Sequence, residues 1–391
     1  MKVLFVSSQA LFRDTRFGGA KRLYYLAKEL EARVELHVIC LDACEEVSDP
    51  GCFPREFRRL LLIPRETPST VFEKLPFLPD VPKSLNKYGD AVRAFLKNAQ
   101  LQDIQFDATL IAFPGALHFL DRGFLPAPGR IAYLEDDLLL EQAPLQIKSA
   151  TGPAHRLLKR LRYLQAKRFY QRVMKKVASF ICISEQEQRI VQARWPRLAT
   201  HLLGYGLPLD EYPLLPPPAH QNVLGFIGNY RHSPNLDAAR WLVKTLFPDV
   251  LRQMPDARLV LCGAGFPAEL RAECAGNASI LVMDEVDDLE VFYGSISVFV
   301  NPLREGRGLR TKVVEAAAYG RPVVSTRLGA EGLESLHVGL FENSGELVGR
   351  LRELLPSDTY AQAAAHNRRE VERLYSMEKV GRQLLSILAP G

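Results

Sequence analysis

The chain has 391 residues, with 50 Lys and Arg against 45 Asp and Glu and a net charge of +5. That length suits two domains with a core each, and so mild a charge puts the weight on where the charges sit. No apolar run reaches about 18 residues, which excludes a membrane-spanning helix. The cysteines at 40, 44, 52, 182, 262 and 274 show neither metal nor disulfide spacing, which fits a reducing compartment such as the cytoplasm.

The N-terminus, MKVLFVSSQA, reads as a strand over Val3–Val6 rather than a secretory leader. After a loop carrying Arg13, Asp14 and Arg16, Gly18 and Gly19 open a helix over Ala20–Leu30. Strand, glycine pair and helix outline a phosphate-binding turn; a plain helix start is the competing reading. Arg33–Cys40 is the second strand. Residues 43–90 are rich in Pro and basic groups, with a short strand at Leu60–Ile63, and Lys87–Ala99 follows as a helix. Asp107–Ala112 is a strand leading to Pro114-Gly115-Ala116 and His118. Arg130–Leu134 is another, ending at Glu135-Asp136-Asp137. Open parallel sheets bind ligands at such strand ends, while Asp at these positions also caps helices.

Between Glu141 and Glu185 stand no acids but Lys148, Arg156, Lys159, Arg160, Arg162, Lys167, Arg168, Arg172, Lys175 and Lys176. Tyr163, Ala166, Tyr170, Val173 and Val177 give this helix one core face. The basic remainder is either a solvated face or a surface for anionic lipid over 156–176. No base-stacking module accompanies it, so nucleic acid is not expected. Ser179–Ser184 closes the first sheet in this reading. The proline-rich run 206–221 is the linker between a domain over 1–205 and one over 222–375. The second domain has strands at 222–228, 257–262, 279–283, 296–301, 322–326 and 338–341. Ser233-Pro234 is a helix start, and the spacing implies a parallel sheet. A last helix, Met377–Leu388, lies in the terminal segment 376–391.

The chemistry concentrates in VFVNPLREGRGLRTKVVEAAAYGRPVVSTRLGAEGLE, from Val298 to Glu334. Gly306 and Gly308 allow close backbone approach, and Thr311 caps a helix that Gly320 ends. Arg307, Arg310 and Lys312 gather at the positive helix end, which suits an anion. Glu315, one turn beyond Lys312, is an acceptor for vicinal hydroxyls. Charge for a diphosphate and a carboxylate for a ribose describe a nucleotide.

These residues resemble the glycosyltransferases of family 4, the glycosyl transferases group 1. Glu315-Ala-Ala-Ala-Tyr-Gly320-Arg-Pro322-Val-Val matches the second half of that family's Glu, seven residues, Glu hallmark. Arg307 stands where its first Glu is expected, and Glu305 fits only with a longer loop. Gly225-Phe-Ile-Gly228-Asn-Tyr-Arg231 resembles the opening strand of the family's second domain, with Asn229 and Asn235 in place of its Arg and Lys. Glu372-Arg-Leu-Tyr-Ser-Met resembles its closing segment. The likeness is specific from about 222 to 391.

It implies an α/β protein of GT-B architecture: two Rossmann-like domains with parallel sheets facing across a cleft, the terminal helix crossing back to the first. It implies a retaining transferase that moves a sugar from a nucleotide-sugar to a glycan, lipid-linked or protein acceptor in polysaccharide or glycoconjugate synthesis. The expected donor contacts are Gly18, Gly19, Gly228, Val286 near the nucleobase, Arg307, Gly308, Lys312 and Glu315, with Glu305, His118 and Arg310 as further candidates. Lys312 and Arg231 would stabilise the leaving diphosphate, and Asp136 or Asp137 would orient the acceptor, with no metal or other cofactor. Peripheral docking on the inner membrane face is a further expectation. The competing readings are an inactive GT-B scaffold, favoured by Arg307, and a GT-B epimerase.

Overall fold

The computed structural model describes residues 1–9, 11, 18–41, 57, 60–63, 104–121, 123–125, 129–135, 138–148, 150, 152–218, 220–306 and 310–389. The expected helix Lys87–Ala99 and the loop residues Arg13, Asp14 and Arg16 lie outside them. The chain forms two compact units, Met1–Gly204 with Met377–Gly391, and Tyr205–Ser376.

The first unit contains β1 (Lys2–Ser7), α1 (Gly18–Glu31), β2 (Glu35–Leu41), β3 (Leu60–Ile63), β4 (Ala108–Ala112), α2 (Leu117–Asp121), β5 (Arg130–Leu134), α3 (Leu139–Lys148), α4 (Pro153–Val173), β6 (Ser179–Cys182), α5 (Glu185–Arg194) and β7 (Ala199–Leu202). Its strands form one sheet in the order β3-β2-β1-β4-β5-β6-β7, and every pairing is parallel. Successive side chains alternate across the sheet. Val3 and Phe5 therefore enter one core with Leu23 and Leu26 of α1, while Leu4 and Val6 enter another with Tyr133 and Tyr170. Both faces are buried, which is why these strands are continuous apolar runs. Ser179–Ser184 does not close the sheet, contrary to expectation; β7 does. Its sequence, Ala-Thr-His-Leu, is only partly buried at the edge and carries no apolar run to betray it.

The second unit contains β8 (Val223–Ile227), α6 (Ser233–Trp241), α7 (Phe247–Gln253), β9 (Arg258–Cys262), α8 (Ala268–Ala275), β10 (Ile280–Met283), α9 (Leu289–Ser295), β11 (Val298–Asn301), α10 (Thr311–Ala318), β12 (Val323–Ser325), β13 (Val338–Leu340), α11 (Ser344–Leu354) and α12 (Ser357–Leu374). The parallel sheet runs β10-β9-β8-β11-β12-β13. The six expected strands are all present, trimmed by a residue or two. Two caps sit one residue earlier than expected: His232 precedes α6 and Arg310 precedes α10, and neither side chain caps its helix.

The proline-rich stretch lies on this unit rather than spanning open solvent. Leu207 and Tyr212 are buried, and the Leu215 amide donates to Tyr319 O at 3.2 Å. Arg321, 1% exposed, donates to Tyr293 O (2.7 Å), Pro216 O (3.0 Å), Tyr360 Oη (3.3 Å) and Leu215 O (3.4 Å). Carbonyls of a proline run find no sheet partner, and a guanidinium with five donors satisfies several at once.

After Ser376 the chain returns to the first unit as α13 (Met377–Leu388), whose Met377, Val380, Leu384 and Leu388 join the core of Phe5 and Leu23. Gly381 permits this: a Cβ there would lie 2.5 Å from Glu29 Cβ of α1.

Candidate functional site

Each sheet reverses its strand order once, between β1 and β4 and between β8 and β11. Open α/β sheets bind ligands beyond the carboxyl ends of the strands at such a point. In the second unit that places the turn after Ile227 next to the loop after Asn301, where the sequence concentrates its glycines and cations.

Lys312, in the first turn of α10, reaches back to β8. Its Nζ donates to Ile227 O at 2.9 Å and to Asn235 Oδ1 at 2.8 Å, and lies 4.7 Å from the centre of the Phe226 ring. Gly228 makes room for it, because a Cβ there would fall 2.8 Å from Asn235 Cγ and 3.1 Å from Lys312 Nζ. Burial lowers the Lys312 pKa to about 8; Glu315 opposes the shift and Arg310 adds to it.

The neighbouring cations divide by what holds them. Arg304 forks onto Asp237 (3.1 and 2.7 Å) and lies over Trp241, so its charge is committed inside the unit. Arg310 is buried, donates to Gly306 O (3.0 Å) and Leu328 O (3.3 Å), and has its pKa lowered by that burial; it shapes the loop. Arg231 is exposed on the turn after β8, where its amide donates to Asn229 Oδ1 at 3.0 Å. Glu305 is exposed and accepts a long bond from Ser233 Oγ at 3.5 Å. Arg307 and Gly308 lie outside the described residues.

Glu315 faces a tyrosine wall that the sequence reading did not single out. Tyr293 and Tyr319 stack at 4.8 Å and Tyr212 meets Tyr319 at 5.1 Å. The hydroxyl pKa of all three is raised, first by burial and then by charges that include Glu315. Tyr293 Oη also donates to Lys312 O at 3.1 Å. The signal was the spacing of Glu315 and Tyr319, one helical turn apart. Val286, beyond β10, has its N–H on the Cys262 thiol, which burial pushes up to about 11.

In the first unit, Gly18 and Gly19 form the first turn of α1. His118 is buried with its ring 4.3 Å from Phe169 of α4, a packing position. Asp136 and Asp137 lie outside the described residues. Their neighbour Glu135, which the sequence reading passed over, is buried at the end of β5. It accepts from Tyr133 Oη (3.0 Å), Tyr170 Oη (2.9 Å) and the Leu139 amide (2.8 Å). Burial raises its pKa to about 7 against the pull of those donors. At the end of β4, Phe113 takes φ 68°, a left-handed conformation costing on the order of 1–3 kcal/mol in a non-glycine residue. Among the described residues no group of three or more His, Cys, Asp or Glu is placed to hold a metal, and no helix is long and apolar enough to cross a membrane.

The family model described as Glycosyl transferases group 1 matches residues 221–357. A protein of Klebsiella pneumoniae described as an uncharacterized 44.6 kDa protein in the cps region is 32% identical over 123 residues, which are 30% of this chain and 31% of that protein. The match thus spans under a third of that relative's length. Among solved structures, sucrose-phosphate synthase of Thermosynechococcus elongatus superposes with a TM-score of 0.67 at 16% identity, over 99% of this chain and 98% of that one. HepE of Anabaena, in complex with UDP and glucose, superposes with a TM-score of 0.66 at 14% identity, over 99% of each chain.

Proposed function

From a chain of GT-B fold whose second unit belongs to the glycosyl transferases group 1, we infer a glycosyltransferase that moves a sugar from a nucleoside diphosphate sugar to a glycan, lipid-linked or protein acceptor. The observation that carries this reading is the Lys312 ammonium, partly desolvated at a switch point and, among the described residues, held by neutral oxygens, with Arg231 exposed on the turn after β8. A diphosphate departing there meets a full charge in a site of low dielectric, where such charge is most effective. Charge and close backbone approach give Arg307 and Gly308 further phosphate contacts, and the pattern of the family gives Glu315 the ribose hydroxyls, Val286 the nucleobase, and Gly18 and Gly19 a phosphate contact. Asp136 or Asp137 orients the acceptor.

In this scheme the anomeric configuration is retained, the leaving phosphate accepts the acceptor's proton, and charge stabilisation comes from the chain rather than a metal. Slow hydrolysis of UDP-glucose, GDP-mannose, ADP-glucose or dTDP-glucose in the absence of acceptor tests it: one donor is consumed, and Lys312→Ala abolishes the turnover. If none is consumed, the inactive scaffold favoured by Arg307 replaces the transferase.

A place at the inner membrane face, in glycoconjugate or polysaccharide synthesis, is the second part of the proposal. On α4 the side chains of Leu157 and Leu164 are 59% and 50% exposed among Arg156, Arg160, Lys167 and Arg168. Apolar prongs set among cations suit an anionic bilayer. Flotation with vesicles of phosphatidylglycerol, but not of phosphatidylcholine alone, is expected; equal behaviour on both removes this part.

A further inference from the structure

Three side chains of α6 reach the nucleotide-side loops: Ser233 meets Glu305, Asp237 holds Arg304, and Asn235 holds Lys312. Only the last contact touches the cation that carries the functional reading. Asn235 bonds at both ends of its amide. Its Oδ1 accepts from Lys312 Nζ at 2.8 Å, and its Nδ2 donates to Asn229 O at 2.9 Å.

We propose that Asn235 is the positioning residue of the diphosphate site, tying the Lys312 ammonium to the turn Gly228-Asn229 so that cation and turn amides meet the ligand as one rigid unit. The proposal rests on the nucleotide-sugar reading above.

The amide suits this task better than either obvious alternative. A carboxylate at 235 would hold Lys312 more tightly but neutralise it, and a diphosphate would then face an ion pair instead of a cation. An alkyl group would leave a flexible four-carbon stem to find its own position, at a cost in side-chain entropy on every binding event. The neutral tether fixes position and leaves the charge whole. Among the described residues two of the three ammonium hydrogens are taken, by Ile227 O and Asn235 Oδ1, and the third has no partner.

Among the described residues the charged groups facing Lys312 are few. Glu315 and Arg310 act on it from its own helix and the preceding loop. Tyr293 of α9 bonds its carbonyl, and β8 and α6 present a backbone oxygen, the Phe226 ring and the Asn235 amide. Asn235→Asp would add to Glu315 a second carboxylate, this one in direct contact with the ammonium, so it should shift the Lys312 titration upward.

The test follows the Lys312 Cε resonance in full-length protein labelled with 13C-lysine, assigned by its loss in Lys312→Arg. Calorimetry with inorganic pyrophosphate and UDP runs in parallel from pH 6.5 to 9.5. In the wild type, pyrophosphate affinity is expected to fall toward tenfold per pH unit above the Lys312 midpoint. In Asn235→Asp that midpoint should move up by about one unit or more, carrying the alkaline limb of binding with it, while affinity at pH 7 drops about tenfold or more. Asn235→Ala should weaken binding without an upward shift, and unchanged melting of each variant separates these effects from misfolding. A Lys312 midpoint and alkaline limb that stay put in Asn235→Asp would overturn the proposal. If the midpoint moves but neither pyrophosphate nor any of UDP, GDP, ADP and dTDP binds, the tether exists and the nucleotide-sugar reading fails, taking the assigned role with it.

Discussion

Two desolvated ionisable side chains, Lys312 half-buried and Glu135 buried, set opposite demands on this protein. Lys312 loses its proton in the folded chain before it would in the unfolded one, its pKa being lowered from 10.5 to about 8. Below pH 8 the fold carries a desolvated cation, and stability rises as pH climbs from 8 toward 10.5 because the unfolded chain then binds more protons. Lys312→Met should therefore stabilise the protein in urea at pH 7 by about 1–3 kcal/mol while weakening diphosphate binding about 30- to 100-fold. A loss of stability would mean that its two hydrogen bonds outweigh the desolvation. Glu135 works the other way. Its pKa is raised from 4.5 to about 7, so its contribution is whole below pH 4.5 and lost as pH rises through 7. Raising pH from 5 to 8 should cost the wild type on the order of 3 kcal/mol relative to Glu135→Gln. Parallel curves for the two proteins would show that Glu135 keeps its charge at pH 5. Of these two residues only Lys312 was legible in the sequence, where glycines and cations announce an anion. Glu135 was hidden among three consecutive acids, because its inward position depends on Tyr133 and Tyr170, the latter 35 residues away.

Among the elements, those built on continuous apolar runs could be read directly. The six strands of the second unit carry such runs because helices cover both faces of a parallel sheet. β7 could not be read, since an edge strand needs no such run. The proline-rich stretch was legible as a break in the pattern but not as a packed element, because its partner Arg321 lies about 100 residues on and arginine is rarely expected inside a core. Arg321→Ala should destabilise the second unit by about 3 kcal/mol or more, since three backbone carbonyls lose a donor at about 1–3 kcal/mol for each left unsatisfied. Urea unfolding measures this, and a change below about 1 kcal/mol would show that water replaces the guanidinium.

For the whole molecule, the chain's path makes the first unit discontinuous: it leaves after Gly204 and returns at Met377. Removing 377–391 strips Met377, Val380, Leu384, Ile387 and Leu388 from the core shared with α1. Each buried apolar side chain is worth about 1.5–3 kcal/mol, so the loss rivals the 5–15 kcal/mol that keeps a domain folded. Limited proteolysis of the truncated chain should digest the first unit and spare a fragment near 205–376. Resistance of both units would show that α13 adds little.

The central claim is that the turn after β8 and Lys312 together hold a diphosphate. Calorimetric titration with UDP, GDP, ADP and dTDP, repeated on Lys312→Ala, tests it most directly. One nucleotide should bind the wild type, and the variant should lose about 30- to 100-fold in affinity, as for a charge-assisted contact of about 2–3 kcal/mol. Binding of equal strength in Lys312→Ala, or no binding of any of the four to a folded wild type, would contradict it.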